Sequence, residues 1–150
     1  MKILLLEDEL MLNNAISEYL KNIGHMVESF CDGQEVLDSI NSSFDLLVLD
    51  INVPTKDGFE ILTELNSRKV YIPTIFISAL IDIEDISKAY NLGCREYIKK
   101  PFHLGELGIK INQILKKEQN NTSHIKFSEN YSYSKDKQTL YFNGEPQSLT

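Results

Sequence analysis

The sequence predicts a doubly wound α/β fold: a five-stranded parallel sheet of strand order 2-1-3-4-5 between two layers of helices, with a short β-rich C-terminal tail. Three observations point there. Apolar runs of strand length alternate along the chain with segments whose apolar residues recur at helical spacing. The runs at 3–6, 46–49 and 74–78 show no polar alternation, which marks strands covered on both faces. Two of those runs deliver acids to their carboxyl ends: Glu7-Asp8 after the first and Asp50 after the third.

Residues 3–6 (Ile-Leu-Leu-Leu) read as the first strand. Leu12, Ala15, Ile16, Tyr19, Leu20 and Ile23 recur at helical spacing, and Gly24 stops that helix. A shorter second strand follows at 26–30, and Val36, Leu37 and Ile40 mark a second helix. The third strand is 46–49. Residues 52–58, with Pro54 and Asp57-Gly58, form a loop. Phe59, Ile61, Leu62 and Leu65 give the third helix, and Pro73 leads into a fourth strand at 74–78. Ile83, Ile86, Ala89, Tyr90 and Leu92 give a fourth helix closed by Gly93; 96–98 is a short fifth strand and 104–117 the fifth helix. Gly105 and Gly108 weaken its start, each costing about 1 kcal/mol relative to alanine in a helix interior.

The polar stretch Gln119-Asn120-Asn121-Thr122-Ser123 reads as a linker, giving one domain at 1–118, a linker at 119–124 and a second region at 125–150. That tail reads as short strands at 125–133, 139–142 and 147–150, with turns at Lys135-Asp136 and Asn143-Gly144. It is too small to bury a core and looks like the opening of a second domain.

At 150 residues, 42% hydrophobic and 25% charged, the chain is of ordinary globular composition. No apolar run reaches membrane-spanning length. Glu7 and Asp8 come too early for a secretory signal, so a cytoplasmic protein is expected. A net charge of −7 with scattered basic residues makes a poor nucleic-acid surface. Cys31 and Cys94 have no metal-like spacing and are expected to be small buried hydrophobes. The three histidines share no ligand spacing.

In an open parallel sheet the ligand site lies beyond the strand carboxyl ends, at the point where strand order reverses. For order 2-1-3-4-5 that point separates the first and third strands, so Glu7, Asp8 and Asp50 converge. Two unit charges about 4 Å apart repel by roughly 4 kcal/mol at an effective dielectric near 20. A hard divalent cation with oxygen ligands is the simplest compensation. Ser78 ends the fourth strand and Lys100 follows the fifth. Carboxylates, a hydroxyl and an ammonium on one rim suit phosphoryl transfer to a carboxylate, with Asp50 as nucleophile and Lys100 and Ser78 contacting the transferring oxygens. Plainer readings stand beside these: Glu7-Asp8 as caps of the first helix, Ser78 as backbone support, Tyr97 as a fixed core aromatic.

On Glu7-Asp8-Glu9, Asp50 with Pro54 and Gly58, Ser78-Ala79, and Tyr97 followed by Lys100-Pro101-Phe102, the first 118 residues or so resemble a response-regulator receiver domain, a CheY-like fold. The resemblance implies that Asp50 accepts phosphate from a phosphohistidine on a sensor histidine kinase. It implies that Asp8, Asp50 and the Asn52 carbonyl hold Mg²⁺, with Glu7 acting through water. It implies a cis Lys100-Pro101 bond, and a switch in which Ser78 moves toward the phosphate while Tyr97 turns inward. Residues 125–150 resemble the first strands of the winged-helix effector domain of the OmpR/PhoB subfamily. A transcription regulator is therefore expected, with DNA contact only through parts of that domain beyond Thr150. In that subfamily two receivers pair through charges after phosphorylation. Glu96 and Lys110 can keep one such pair, whereas Ile86 stands where a lysine is common, which deprives Glu106 of its partner, and Arg95 stands where an acid is common. Two alternatives are a haloacid-dehalogenase-type phosphatase, whose aspartyl nucleophile lies on the first strand, and a stand-alone receiver adaptor.

Overall fold

The computed structural model of the protein describes residues 1–125, with side chains through residue 117. Its elements run β1 (Lys2–Leu6), α1 (Leu10–Asn22), β2 (Met26–Phe30), α2 (Gly33–Ser39), β3 (Leu46–Asp50), α3 (Gly58–Ser67), β4 (Thr74–Ser78), α4 (Ile83–Asn91), β5 (Glu96–Lys99) and α5 (Leu104–Ile125). The five strands form one parallel sheet in the order β2-β1-β3-β4-β5, as the sequence predicts.

Burial explains the apolar runs. Every residue of β3 and β4 is buried, as is all of β1 except Lys2. Leu4, Leu6, Leu47, Leu49 and Phe76 join Val36 and Leu37 of α2 and Phe59, Ile61, Leu62 and Leu65 of α3 in one apolar cluster. Phe59 and Phe76 meet edge to face, with ring centroids 5.6 Å apart. The alternate strand residues Ile3, Leu5, Val48, Ile75 and Ile77 point to the other face and are equally buried. Strand β2 is the exposed edge, with Met26, Glu28 and Ser29 open to solvent. Gly24 and Gly93 follow α1 and α4 with φ of 105° and 102°, a left-handed turn that glycine makes without steric cost.

The local starts of α2 and α3 are encoded by acids. Asp32 caps α2 by accepting from the Gln34 and Glu35 N–H groups. At α3, Asp57 accepts from the Glu60 N–H at 2.8 Å and the Asp57 N–H donates to the Glu60 carboxylate at 2.9 Å, a reciprocal capping box.

Two expectations are corrected. The proposed linker at 119–124 is helical, because α5 continues to Ile125, where a strand had been expected to begin. No glycine or proline occurs between Gly108 and Gly144, and asparagine, threonine and serine cost a helix only about 0.5–0.7 kcal/mol each. Polarity alone therefore does not break the helix. The expected strands within 126–150 lie outside the described residues. The chain divides into two compact units, Met1–Ile111 and Asn112–Thr150. Both cysteines are free, and Cys94 is buried, where desolvation pushes its thiol up to about 12. Cys31 is exposed instead, since it follows the open edge strand. Among the described residues no helix is long and apolar enough to cross a membrane.

Candidate functional site

Parallel register brings the polar strand ends to one rim. Leu6 pairs with Leu49, Asp50 with Ile77, and Ser78 with Lys99, so Glu7, Asp50, Ser78 and Lys100 emerge side by side. Glu7 is fully buried and Asp50 is 3% exposed, whereas Asp8 is exposed. One carboxylate oxygen from each of Glu7, Asp8 and Asp50 lies within 4.8 Å of the others. The sequence-predicted convergence is therefore present.

Lys100 stands between two of the acids. Its Nζ is 2.9 Å from Asp50 Oδ2 and 2.8 Å from Glu7 Oε1. The contact with Asp50 is a directed hydrogen bond. That with Glu7 is an ion contact which leaves the buried Oε1 without a hydrogen-bond partner. Burial is the main force pushing the Asp50 carboxyl up, to about 6, helped by the Glu7 charge and opposed by Lys100. For Lys100 burial pulls downward, but its contacts with Glu7 and Asp50 outweigh it and the ammonium is held above its ordinary value. One lysine thus serves two buried carboxylates, with a third carboxylate beside them at the surface.

A divalent cation fits this donor set. Three carboxylates within one coordination sphere's reach supply hard oxygen ligands, and the single Lys100 ammonium beside Glu7 and Asp50 leaves the group net negative. Asn52 lies two residues on, and its N–H donates to Asp50 Oδ1 at 3.3 Å.

Ser78 is fully buried at the end of β4. Its Oγ accepts from the Leu80 N–H at 3.0 Å, while the Tyr97 hydroxyl donates to the Leu80 carbonyl at 2.8 Å. The main chain of Leu80 therefore joins Ser78 to Tyr97. The Lys100-Pro101 bond is cis, as the resemblance implies. Glu96 and Lys110 pair within this chain, Nζ to Oε1 at 3.1 Å.

Three contributors escaped the sequence reading. Asn13 sits buried on α1, and its Nδ2 donates to the Glu7 carbonyl at 2.9 Å and the Phe30 carbonyl at 3.0 Å, tying the ends of β1 and β2 together. Its signal was available: an amide interrupts the inward face that also includes Ile16 and Leu20. Leu80 acts through its backbone, and Thr55 through contacts to α2; neither leaves a pattern.

An open parallel sheet whose order reverses beside three acids, a lysine and a buried hydroxyl defines a class of α/β protein that does its chemistry at strand ends. The response regulator receiver domain matches residues 3–112, and the chain belongs to that family. It is 36% identical over 117 residues to the transcriptional regulatory protein CiaR of Streptococcus pneumoniae, covering 77% of this chain and 52% of CiaR. It is 32% identical over 154 aligned positions to the transcriptional regulatory protein RprY of Bacteroides fragilis, covering 100% of this chain and 65% of RprY. The chain thus spans about half to two thirds of the length of these relatives. Among solved structures it is similar to the non-phosphorylated HemR receiver domain of Leptospira biflexa, with TM-score 0.72 and 30% identity over 75% of this chain and 92% of that one. It is also similar to the response regulator DrrB, a Thermotoga maritima OmpR/PhoB homologue, with TM-score 0.71 and 27% identity over 78% of this chain and 53% of that one.

Proposed function

We propose that this receiver is the phosphoacceptor of a two-component pathway, phosphorylated on Asp50 by a sensor histidine kinase, and that it belongs to a cytoplasmic, DNA-binding transcription regulator. The observation that supports this most is the grouping of Glu7, Asp8 and Asp50 around Lys100. An Asp50 carboxylate oxygen forms the new P–O bond as the P–N bond to the donor histidine breaks, and the leaving imidazole keeps the electron pair and takes up a proton. Glu7, Asp8, Asp50 and the Asn52 carbonyl would hold Mg²⁺, which when bound supplies positive charge to the transferring oxygens. Lys100 exchanges its contact with the Asp50 carboxylate for one with the phosphoryl group. Ser78 turns its hydroxyl to a second phosphoryl oxygen and releases the Leu80 N–H. Tyr97, bound to the carbonyl of that same residue, gains a reason to change its own position. The receiver could thereby promote its own phosphorylation and dephosphorylation without acting on a separate substrate.

The output is read as pairing of two receivers through the face made by α4, β5 and α5. Ile83, Tyr90 and Ile109 are exposed there, beside the Glu96–Lys110 pair. In that pairing the two charges would exchange partners between chains. The DNA-binding part is assigned to the region after the receiver, with residues 1–118 as receiver and the tail as the first strands of an effector domain. The kinship with CiaR and RprY, both named transcriptional regulatory proteins, supports this. A haloacid-dehalogenase-type phosphatase would need its nucleophile on β1, whereas the buried aspartate stands on β3.

Incubation with a small phosphodonor and Mg²⁺ should add the mass of one phosphoryl group, and Asp50→Asn should stay unlabelled. Equal labelling of parent and variant would reject Asp50 as the acceptor.

A further inference from the structure

The loop between β3 and α3 is fastened at both ends. At its base the Gly58 N–H donates to the Ile51 carbonyl at 2.9 Å, and the Asn52 N–H reaches Asp50 Oδ1. Its tip is held by a different element. The Gly33 N–H at the start of α2 donates to the Pro54 carbonyl at 3.2 Å, and the Gln34 N–H donates to Thr55 Oγ1 at 3.0 Å. The Thr55 hydroxyl has one proton to share between Asp32 Oδ1 at 2.8 Å and the Pro54 carbonyl at 2.7 Å. Asp32 accepts from Gln34, Glu35 and Thr55 together, and the Thr55 hydroxyl is the largest cause holding its carboxyl below the ordinary value.

Two features show that this junction is built for proximity. A Cβ at Gly33 would run into the Lys56 carbonyl, so only glycine lets α2 come this close. Thr55 takes φ of 67°, a left-handed conformation that is a true outlier for a β-branched residue. Such backbone persists only where surrounding bonds over-determine it. Here the bonds on its side chain and on the Pro54 carbonyl do so: the Gly33 and Gln34 N–H groups and the Asp32 carboxylate hold it from α2 and its cap, and the Lys56 N–H adds a local bond of 2.9 Å to the Pro54 carbonyl.

We propose that Thr55 and Asp32 are positioning residues for the acidic site: by pinning the loop tip to α2 they set the Asn52 segment, and with it the Asp50 carboxylate, for divalent cation binding before any cation arrives. This rests on the reading of Asp50 and its neighbours as a Mg²⁺-assisted phosphoacceptor. Thr55 touches neither Asp50 nor the other acids in any hydrogen bond; it acts through the peptide chain of residues 52–54. Unpinned, the loop samples other conformations, and the cation must bear the cost of ordering it.

Calorimetric Mg²⁺ titration of the full chain tests this, with Thr55→Val removing the hydroxyl at constant shape and Thr55→Ser retaining it. Loss of one such anchoring hydrogen bond should weaken Mg²⁺ binding about three- to tenfold in Thr55→Val, and Thr55→Ser should recover the parent affinity. Labelling by a small phosphodonor should fall in Thr55→Val at limiting Mg²⁺ and return to the parent rate at saturating Mg²⁺. Asp32→Ala provides a second variant if Thr55→Val does not fold, with the same expected loss. Parent-like Mg²⁺ affinity in the folded variant, or a labelling rate that stays low at saturating Mg²⁺, would overturn the proposal. A parent that neither binds Mg²⁺ nor labels would instead reject the underlying reading of Asp50.

Discussion

Asp50 is a buried acid whose charged form the fold disfavours near neutrality. Its carboxyl is raised from 3.8 to about 6, chiefly by desolvation. The unfolded chain therefore gives up this proton at lower pH than the folded one does. Between the two values the folded state binds more protons, so stability falls as pH rises from about 4 to about 6 and is level above that. Asp50→Asn removes the penalty. In Mg²⁺-free buffer its gain over the parent should grow across that window and reach roughly 2–3 kcal/mol at neutral pH, at about 1.4 kcal/mol per tenfold change in proton affinity. Urea unfolding of both proteins at pH 4, 6 and 8 checks this, and a pH-independent difference would contradict it. Asp50, Glu7, Asp8, Ser78 and Lys100 were legible beforehand because each sits where an apolar run ends. Leu80 and Thr55 were not: Leu80 takes part through its own main chain, which has no letter in the sequence, and Thr55 meets Asp32 from a distant point of the chain; Asn13 showed only as an amide on an apolar helix face.

At the scale of elements, β1, β3 and β4 could be placed to within a residue or two because solvent is excluded from both of their faces, and such strands must be written as nearly unbroken apolar runs. The helices of the first 111 residues were equally plain from their spacing. The end of α5 was misjudged for a physical reason: a polar stretch without glycine or proline leaves the choice between helix and coil to small propensity differences. Helix starts are better specified. The capping box of α3 binds two otherwise unsatisfied groups with Asp57 and Glu60. Asp57→Ala should cost about 1 kcal/mol, within a range of about 0.5–2, seen as a lower urea midpoint at unchanged slope. The start of α2 behaves differently. Gly33→Ala would ordinarily favour a helix, but here the added methyl meets the Lys56 carbonyl. It should destabilise by about 1–3 kcal/mol, the usual cost of overpacking; a more stable Gly33→Ala in the same measurement would show that the loop yields freely.

For the whole molecule, fold and site are coupled through charge. Folding brings three carboxylates together, so a ligand that relieves their repulsion must also stabilise the fold. Mg²⁺ at ten times its dissociation constant should add about 1.4 kcal/mol. For a domain of this size that is a rise of several degrees in Tm, and it should vanish in Asp8→Asn/Asp50→Asn. A parent Tm indifferent to Mg²⁺ in differential scanning calorimetry would count against cation binding. Lys100 has a consequence of its own. At rest its ammonium already faces anionic oxygen on two sides, so modification of Asp50 would offer it a substitute anion in place of an unfamiliar one. The Glu7 carboxylate would stay beside it in either form, so the ammonium would trade one neighbour while keeping the other and would never be left uncompensated in a partly buried setting.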